Sequence, residues 1–119
     1  MARPTVMILE PEPNEALSVR KLVVETAKFN VVTAYCTGEA KELLRRFPNV
    51  DAVVVVAEIT DCEQAVKAAK GSNPSMPVIL LSANRNYRCD HAEYHISSHE
   101  PEELVELLRS LFGDPRKVA

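Results

Sequence analysis

The chain has 119 residues, of which 46% are hydrophobic and 26% charged, and its formal net charge is −3 at pH 7. This length suffices for one domain with a single core and no disulfides, and the composition is that of an ordinary globular protein. The sequence has no extended stripe of Lys and Arg, so nothing in it indicates the clustered basic surface that nucleic acid requires. The longest apolar runs, 53–57 and 78–81, are too short to cross a membrane.

Short runs rich in β-branched residues alternate along the chain with longer segments of helical spacing. The runs predict five strands: Val6–Leu9, Phe29–Ala34, Ala52–Ala57, Val78–Ser82 and Tyr94–Ser97. Most of them are nearly uninterrupted apolar sequences. Such sequences are typical of parallel strands that helices cover on both faces.

Four further segments predict helices, because each combines an apolar stripe with capping or breaking residues. They are 14–28 after Pro13, the segment between Thr37 and Pro48, 62–70 before Gly71, and the segment between Pro101 and Gly113. Thr37 is the predicted N-cap of the second helix. Glu102 and Glu103 complement the positive end of the last helix dipole.

The alternation predicts an α/β fold with a five-stranded parallel sheet, right-handed crossovers and helices on both faces. We expect a single domain over residues 1–119, with 113–119 as a tail or the start of a linker. Segment 83–93 breaks the alternation, since it lacks a helical pattern where a helix is due. About ten residues fit at most one or two helical turns.

Three sequence blocks carry a resemblance to a known family. They are "VMILEPEPNEAL" (6–17), "FNVVTAYCTGEAKELLRR" (29–46), and "MPVILLSA" (76–83) together with "YHISSHEPEELVELLRSLF" (94–112). In order and spacing the chain resembles the receiver (CheY-like) domain of bacterial response regulators. The resemblance implies a doubly wound, flavodoxin-like three-layer sandwich with strand order 2-1-3-4-5, here with the fourth helix shortened or missing. It also implies a site at the carboxyl ends of the strands.

Receivers accept a phosphoryl group on an aspartate at the end of the third strand. The family's acidic pair after the first strand holds Mg²⁺, which prefers oxygen ligands, while a Thr or Ser and a Lys contact the phosphoryl oxygens. In this chain the corresponding positions are Glu10 and Pro11 for the acidic pair, Val56 for the acceptor, Ser82 for the hydroxyl, Ser97 for the lysine and Ser98 for the proline after it. The sequence therefore departs from the family pattern at most of the positions that carry chemistry.

These substitutions predict a domain that is not an enzyme, has no cofactor and binds Mg²⁺ weakly or not at all. Val56 has no oxygen to phosphorylate, and Ser97 has no positive charge to offer a phosphoryl group. Glu58 lies two residues beyond Val56, and an acidic stand-in at that position stays open as an alternative.

The first functional hypothesis is an atypical receiver that acts in two-component-type signalling as a phosphorylation-independent protein-interaction module. The alternative is a receiver that still accepts a phosphoryl group from a histidine kinase through non-standard residues. A flavin- or nucleotide-binding protein is disfavoured, because the turn "EPEPN" (10–14) has no glycine and carries carboxylates where phosphates need N–H donors. The expected partners are signalling proteins, and a homodimer stays open as a further expectation. Neither nucleic acid nor a membrane is expected as a partner.

The remodelled segment 83–93 is the expected interaction face, with Arg85, Tyr87 and Arg88 in it and Tyr94 beside it. Tyr94 occupies the place of an aromatic residue that changes rotamer in active receivers; packing beside the last helix is the favoured interpretation here. An apolar patch uncovered by the loss of a helix would suit a partner.

Cysteine and histidine spacing argues against a disulfide framework and a metal site. Cys36, Cys62 and Cys89 form no CxxC pair, and their odd number favours a reducing, cytoplasmic location. We expect buried or half-buried thiols, with Cys89 as the one that would react. The series Cys89, Asp90, His91, His95 and His99 imitates ligand spacing, but four residues of a strand span about 13 Å, too far for one metal ion.

Overall fold

The structure, a computed structural model, describes residues 4–10, 19–57, 62–83, 89, 91–97 and 100–114, and for 19–22 only the backbone. Its strands are β1 (Thr5–Leu9), β2 (Asn30–Ala34), β3 (Ala52–Val56), β4 (Val78–Ser82) and β5 (Tyr94–Ser97). Its helices are α1 (Val19–Thr26), α2 (Thr37–Arg46), α3 (Cys62–Ser72) and α4 (Pro101–Phe112). Within these ranges, no helix has the length and apolarity needed to cross a membrane.

All neighbouring strands pair in parallel, and their order is β2-β1-β3-β4-β5. This confirms the predicted sheet and strand order. Parallel neighbours need crossover connections, and here α1, α2 and α3 supply three of the four. The fourth crossover, between β4 and β5, contains no helix among its described residues, 83, 89 and 91–93.

Side chains alternate along the strands between two apolar clusters, one on each face of the sheet. Met7, Val53 and Leu80 belong to the cluster that includes α2 and α3 residues such as Leu44 and Val66. Residues of opposite parity, with α1 and α4 side chains, form the second cluster: Val6, Ile8, Val24, Val54, Val56, Ile79, Leu81, Leu104 and Leu108. Every residue of β3 and β4 is buried, as the continuous apolar runs predicted.

Helix α1 ends earlier than its apolar pattern predicted. It stops at Thr26, while Lys28 adopts a left-handed conformation with φ 74°. The Lys28 N–H donates to the Glu25 carbonyl (2.9 Å), and the Phe29 N–H donates to the Val24 carbonyl (3.4 Å). These two bonds form a Schellman motif, in which Phe29 and Val24 are both buried. The motif ends α1 and leads the chain into β2. The predicted start near Pro13 lies outside the described residues.

The N-cap of α2 is Cys36, one residue before the predicted Thr37. Cys36 has extended backbone and its side chain makes no capping bond, while Thr37 is already helical. The prediction was wrong: the Thr37 hydroxyl is buried and makes no hydrogen bond among the described residues. The Glu39 carboxylate accepts the N–H of Tyr35, just before the helix, at 2.8 Å.

The other two helices differ in how well their ends were predicted. Helix α3 continues through Gly71 to Ser72, since the Asn73 N–H still donates to the Ala69 carbonyl (3.1 Å). Gly71 is therefore inside the last turn and not beyond it. Helix α4 begins at Pro101, and Gly113 ends it with φ 83°, as predicted.

The β4–β5 connection packs against the α2/α3 face, where Cys89 and Ala92 are buried in the apolar cluster. The Cys89 N–H donates to His95 Nε2 (3.1 Å) from the neighbouring strand. The expectation that Cys89 would be the reactive thiol is therefore wrong, because only 3% of the residue is exposed. Cys36, expected to be at least half-buried, is instead the exposed cysteine, because it stands at the cap of α2.

Polar contacts secure the amino ends of β4 and β5. Lys70, in the last turn of α3, pairs with Glu93 and donates to the carbonyls of Pro74 (3.1 Å) and Met76 (2.9 Å). The second carboxylate oxygen of Glu93 accepts the Val78 N–H at 2.7 Å. A single ion pair thus joins α3, the start of β4 and the residue before β5.

Candidate functional site

Four of the residues predicted from the sequence meet at the carboxyl edge of the sheet. Glu10 follows β1 directly, Val56 ends β3, Ser82 ends β4 and Ser97 ends β5. The strand registers place these four residues at the same height in the sheet. Leu9 is opposite Val55, Val56 is opposite Leu81, and Ser82 is opposite Ser97. The structure therefore assembles these positions at one edge.

Val56 is a component of the apolar core. It is 1% exposed and belongs to the cluster between the sheet and helices α1 and α4. The following Ala57 N–H donates to the Leu81 carbonyl at 2.8 Å, which fixes the end of β3 against β4. The position thus presents a covered isopropyl group, which can act neither as a nucleophile nor as a metal ligand.

Glu10 is the only carboxylate among the four strand-end residues. It is 1% exposed, its N–H donates to the Ala34 carbonyl (3.1 Å), and it takes part in further interactions with its surroundings. A buried carboxylate needs such partners, because an uncompensated charge away from water is costly. Glu10 could supply one oxygen ligand to a cation, but Val56 opposite supplies none.

Ser82 and Ser97 face each other across the β4–β5 ladder. Ser82 is 9% exposed, Ser97 is half-buried, and both hydroxyl-bearing residues take part in interactions. The pair can donate and accept hydrogen bonds at the carboxyl edge. Neither residue brings a positive charge, so nothing at these two positions compensates a dianionic group.

Several predicted site residues lie outside the described part of the chain. These are Pro11 and Ser98 at the site, the alternative acid Glu58, and Arg85, Tyr87 and Arg88 of the expected interaction face. The structure tests neither the second half of the acidic pair nor the arginines.

Tyr94 is half-buried and packs against the α1/α4 cluster, consistent with the packing role favoured from the sequence. It also lines an open groove of about 560 Å³ between β5 and α4. Ile96 and Leu107 form the rest of its apolar floor, and Glu102, Glu103 and Glu106 stand along it. An apolar floor with an acidic border suits a protein partner better than a small anion.

A second cleft was missed by the sequence reasoning. It measures about 470 Å³, lies between α1 and α4, and has Val23, Ala27 and Val105 in its lining with Glu102, Glu106 and Arg109 at its border. The three charged residues are spaced i, i+4 and i+7, which places them on one face of α4. This spacing could have indicated from the sequence that they lie together. Arg109 pairs with Glu106 at 2.9 Å.

The histidine series does not converge. His95 Nε2 lies against the backbone of Cys89, 3.1 Å from its nitrogen and 3.2 Å from its oxygen. Over the described ranges, which exclude Asp90 and His99, no three His, Cys, Asp or Glu side chains come together in a metal-binding arrangement.

No protein-family model matches this chain, and no curated protein does. Solved structures do. The response regulator protein TrrA from Thermotoga maritima, in complex with Mg²⁺-BeF, is 24% identical, with a TM-score of 0.70 over 91% of this chain and 98% of that one. A CheY-like receiver domain protein from Methanospirillum hungatei is 16% identical, with a TM-score of 0.73 over 98% of each chain.

A third similar structure contains a signalling partner. It is the complex of CheY6 with the P1 domain of CheA3 from R. sphaeroides, and it is 21% identical, with a TM-score of 0.67 over 93% of this chain and 98% of that one. Together these likenesses show that the chain has the fold of receiver domains over nearly its whole length.

Proposed function

We propose that this chain is an atypical response-regulator receiver domain that acts in two-component-type signal transduction as a phosphorylation-independent protein-interaction module. The observation that carries the proposal is Val56, a fully covered hydrocarbon side chain at the end of β3, where a receiver needs its acceptor carboxylate. A domain of this kind has no enzymatic activity and needs no cofactor.

The chemistry of the neighbouring strand ends supports the same proposal. Phosphoryl transfer to a carboxylate depends on cations that offset the charge of the phosphoryl oxygens. Glu10 is a single carboxylate with which to hold Mg²⁺, and Ser97 stands where a lysine would contact the phosphoryl group. We therefore expect Mg²⁺ to bind weakly or not at all.

The similar structures support a role in binding other proteins. CheY6 forms a complex with the P1 domain of CheA3, so a domain of this fold presents a surface to another signalling protein. In our chain the groove between β5 and α4, with Tyr94 and Ile96 in its floor, is a surface for such contacts. Arg85, Tyr87 and Arg88 complete the interaction face that we propose.

Phosphodonor labelling tests the proposal directly. The purified domain is incubated with Mg²⁺ and acetyl phosphate and its intact mass is recorded at once; in parallel, its amide NMR spectrum is recorded with Mg²⁺ and beryllofluoride. We expect no mass increase and no Mg²⁺-dependent change in the spectrum. TrrA, whose structure contains Mg²⁺-BeF, serves as the positive control.

A Mg²⁺-dependent phosphoryl adduct would contradict the proposal and favour the alternative, a receiver that uses non-standard residues. Peptide mapping of the adduct would then show whether Glu58 or Glu10 is the acceptor. Affinity capture with the domain as bait, with and without acetyl phosphate, tests the second half of the proposal. Its captured partners should be the same in both conditions.

A further inference from the structure

Strand β2 forms one edge of the sheet, and only one side of its backbone is paired among the described residues. The Asn30 N–H donates to the Pro4 carbonyl (3.0 Å), and the Ala34 carbonyl accepts the Glu10 N–H (3.1 Å). In a parallel ladder, alternate residues turn both backbone groups to the same side. Asn30, Val32 and Ala34 therefore face β1, while Val31 and Thr33 face outward.

Few backbone groups of β2 face away from β1. The two flanking N–H groups are already used, since Phe29 donates to Val24 and Tyr35 donates to the Glu39 carboxylate. This leaves the N–H and C=O groups of Val31 and Thr33. No described residue pairs with them, because the sheet order ends at β2.

The sequence of β2 does nothing to block pairing at this edge. Natural edge strands are commonly protected by proline, inward-pointing charges or bulges. Strand β2, NVVTA, has no proline and no charged residue, and its pairing with β1 runs without a bulge from Thr5–Asn30 to Leu9–Ala34.

We propose that this edge is a homodimer interface, in which β2 pairs antiparallel with β2 of a second copy. In antiparallel pairing, two opposed residues exchange both of their N–H···O bonds. Only a register that places Val31 opposite Thr33 of the other copy, with Val32 opposite Val32 on the two-fold axis, uses all the outward groups. It forms four backbone hydrogen bonds and continues the sheet through both copies.

The two neighbouring registers leave groups unsatisfied. If Val31 were opposite its own copy, Thr33 would be opposite Phe29, whose N–H is occupied. If Thr33 were opposite its own copy, Val31 would be opposite Tyr35, whose N–H is bound to Glu39. The edge is thus self-complementary in a single register, as a two-fold interface requires.

The charges of α2 complement a second copy arranged in this way. Helix α2 follows β2, packs on its face of the sheet and runs in the opposite direction, with acidic Glu39 in its first turn and basic Arg45 and Arg46, which share the single carboxylate of Glu42, in its last. A two-fold axis through β2 sets the two α2 helices antiparallel on one face. The acidic start of each helix is then at the same end as the basic end of the other.

An exposed aromatic residue directly follows the edge strand. Tyr35, directly after β2, is 37% exposed, and Phe47, at the end of α2, is 48% exposed. They are the only large hydrophobic side chains that the described residues expose to this degree. The proposed register places Tyr35 opposite Phe29 of the other copy, so the exposed Tyr35 side chain can add apolar area to the hydrogen bonds.

A pair of proline substitutions tests the interface. Thr33→Pro removes only an outward N–H, and the Thr33 hydroxyl has no described hydrogen-bond partner to lose. Val32→Pro removes an N–H that faces β1. Sedimentation velocity is measured at protein concentrations up to about 1 mM. At that concentration a dimer with a Kd of about 100 μM would be mostly associated. We expect wild type to form dimers, Thr33→Pro to remain monomeric and folded, and Val32→Pro to lower the melting temperature.

A charge pair at the two-fold axis provides a second test that does not depend on proline. Val32→Lys and Val32→Glu each place like charges opposite one another, so each variant alone should be monomeric. An equimolar mixture should associate as a one-to-one dimer. Wild type that stays monomeric at the highest concentration, a Thr33→Pro variant that still dimerises, or a mixture that does not associate would each overturn the proposal. None of these outcomes depends on whether the domain is phosphorylated.

Discussion

The two ends of the parallel sheet use polar residues in opposite ways. At the amino end, Lys70 and Glu93 form an ion pair that also binds the backbone of β4, and the Asp51 carboxylate accepts the Thr5 N–H at 2.8 Å. At the carboxyl end, where receivers concentrate their chemistry, Val56 extends the apolar core to the last residue of β3. The fold thus uses polar side chains to bind backbone groups at the strand beginnings, whereas among the described strand-end residues Glu10 is the only carboxylate.

Introducing a carboxylate at Val56 should produce the largest effect. We expect Val56→Asp to lower the free energy of unfolding by about 4 kcal/mol, because the charge enters a covered apolar site without a partner. We also expect it to remain unphosphorylated by acetyl phosphate, since Ser97 supplies no positive charge. Urea unfolding and intact mass measure the two outcomes.

Val56→Thr is the matched control, since it keeps the shape of valine and adds only a hydroxyl group. It should cost about 1–2 kcal/mol. If Val56→Asp were as stable as wild type, the carboxyl end would be a polar site after all, and the contrast between the two ends would fail.

Breaking the polar contacts at the amino end should have the second largest effect. Lys70→Met should lower the free energy of unfolding by about 2 kcal/mol, because it leaves the Glu93 carboxylate without its ion-pair partner and removes the bonds to the Pro74 and Met76 carbonyls. Chemical denaturation measures the loss, and native-state hydrogen exchange should show faster opening at the start of β4.

Lys67→Met is the control for this variant. Lys67 is on the same helix and exposed, so its substitution removes a charge without removing the network. Equal stability of the two variants would show that the Lys70 contacts contribute nothing.

A surface ion pair away from both ends should have the smallest effect. The hydrogen bond from Arg45 holds the pKa of Glu42 below its ordinary value, and the positive charges of Arg45 and Arg46 act in the same direction. Because the pKa is lowered by folding, this contribution is present above the ordinary pKa and is lost as the pH falls through the lowered one. Glu42→Gln should therefore slightly reduce the acid dependence of stability, as unfolding curves at neutral and acid pH would show.

A loss of stability in Glu42→Gln as large as that in Lys70→Met would be unexpected for an exposed pair, since solvent screens such charges. It would indicate that the Glu42 ion pair contributes as much to the stability of the fold as the Lys70 contacts do.

Much of the fold could be predicted from the sequence, because continuous apolar runs such as Ala52–Val56 leave few alternatives to a strand covered on both faces. The helix ends were harder. Lys28 adopts a left-handed conformation although it is not glycine, and α2 is capped by Cys36, which makes no side-chain capping bond, and not by Thr37. Local residue preferences favour neither choice.

The strand-end positions of the site followed from the resemblance, but their surroundings did not. The resemblance predicted that Val56 and Glu10 stand at one edge, but the burial of Val56 depends on packing from α1, α4 and the neighbouring strands. The groove beside Tyr94 and the ion pair of Lys70 join residues distant along the chain. Their spacing carries no local periodicity from which to predict them.

The exposure of Cys36 has a practical consequence. The other two cysteines are buried, so the native chain already contains one accessible thiol for maleimide chemistry, and it stands at the start of α2 beside the carboxyl edge of the sheet. A fluorophore or spin label at Cys36 would report on events at that edge without any engineered mutation. In a β2-paired dimer, the distance between the two labels would also measure the separation of the two copies across the two-fold axis.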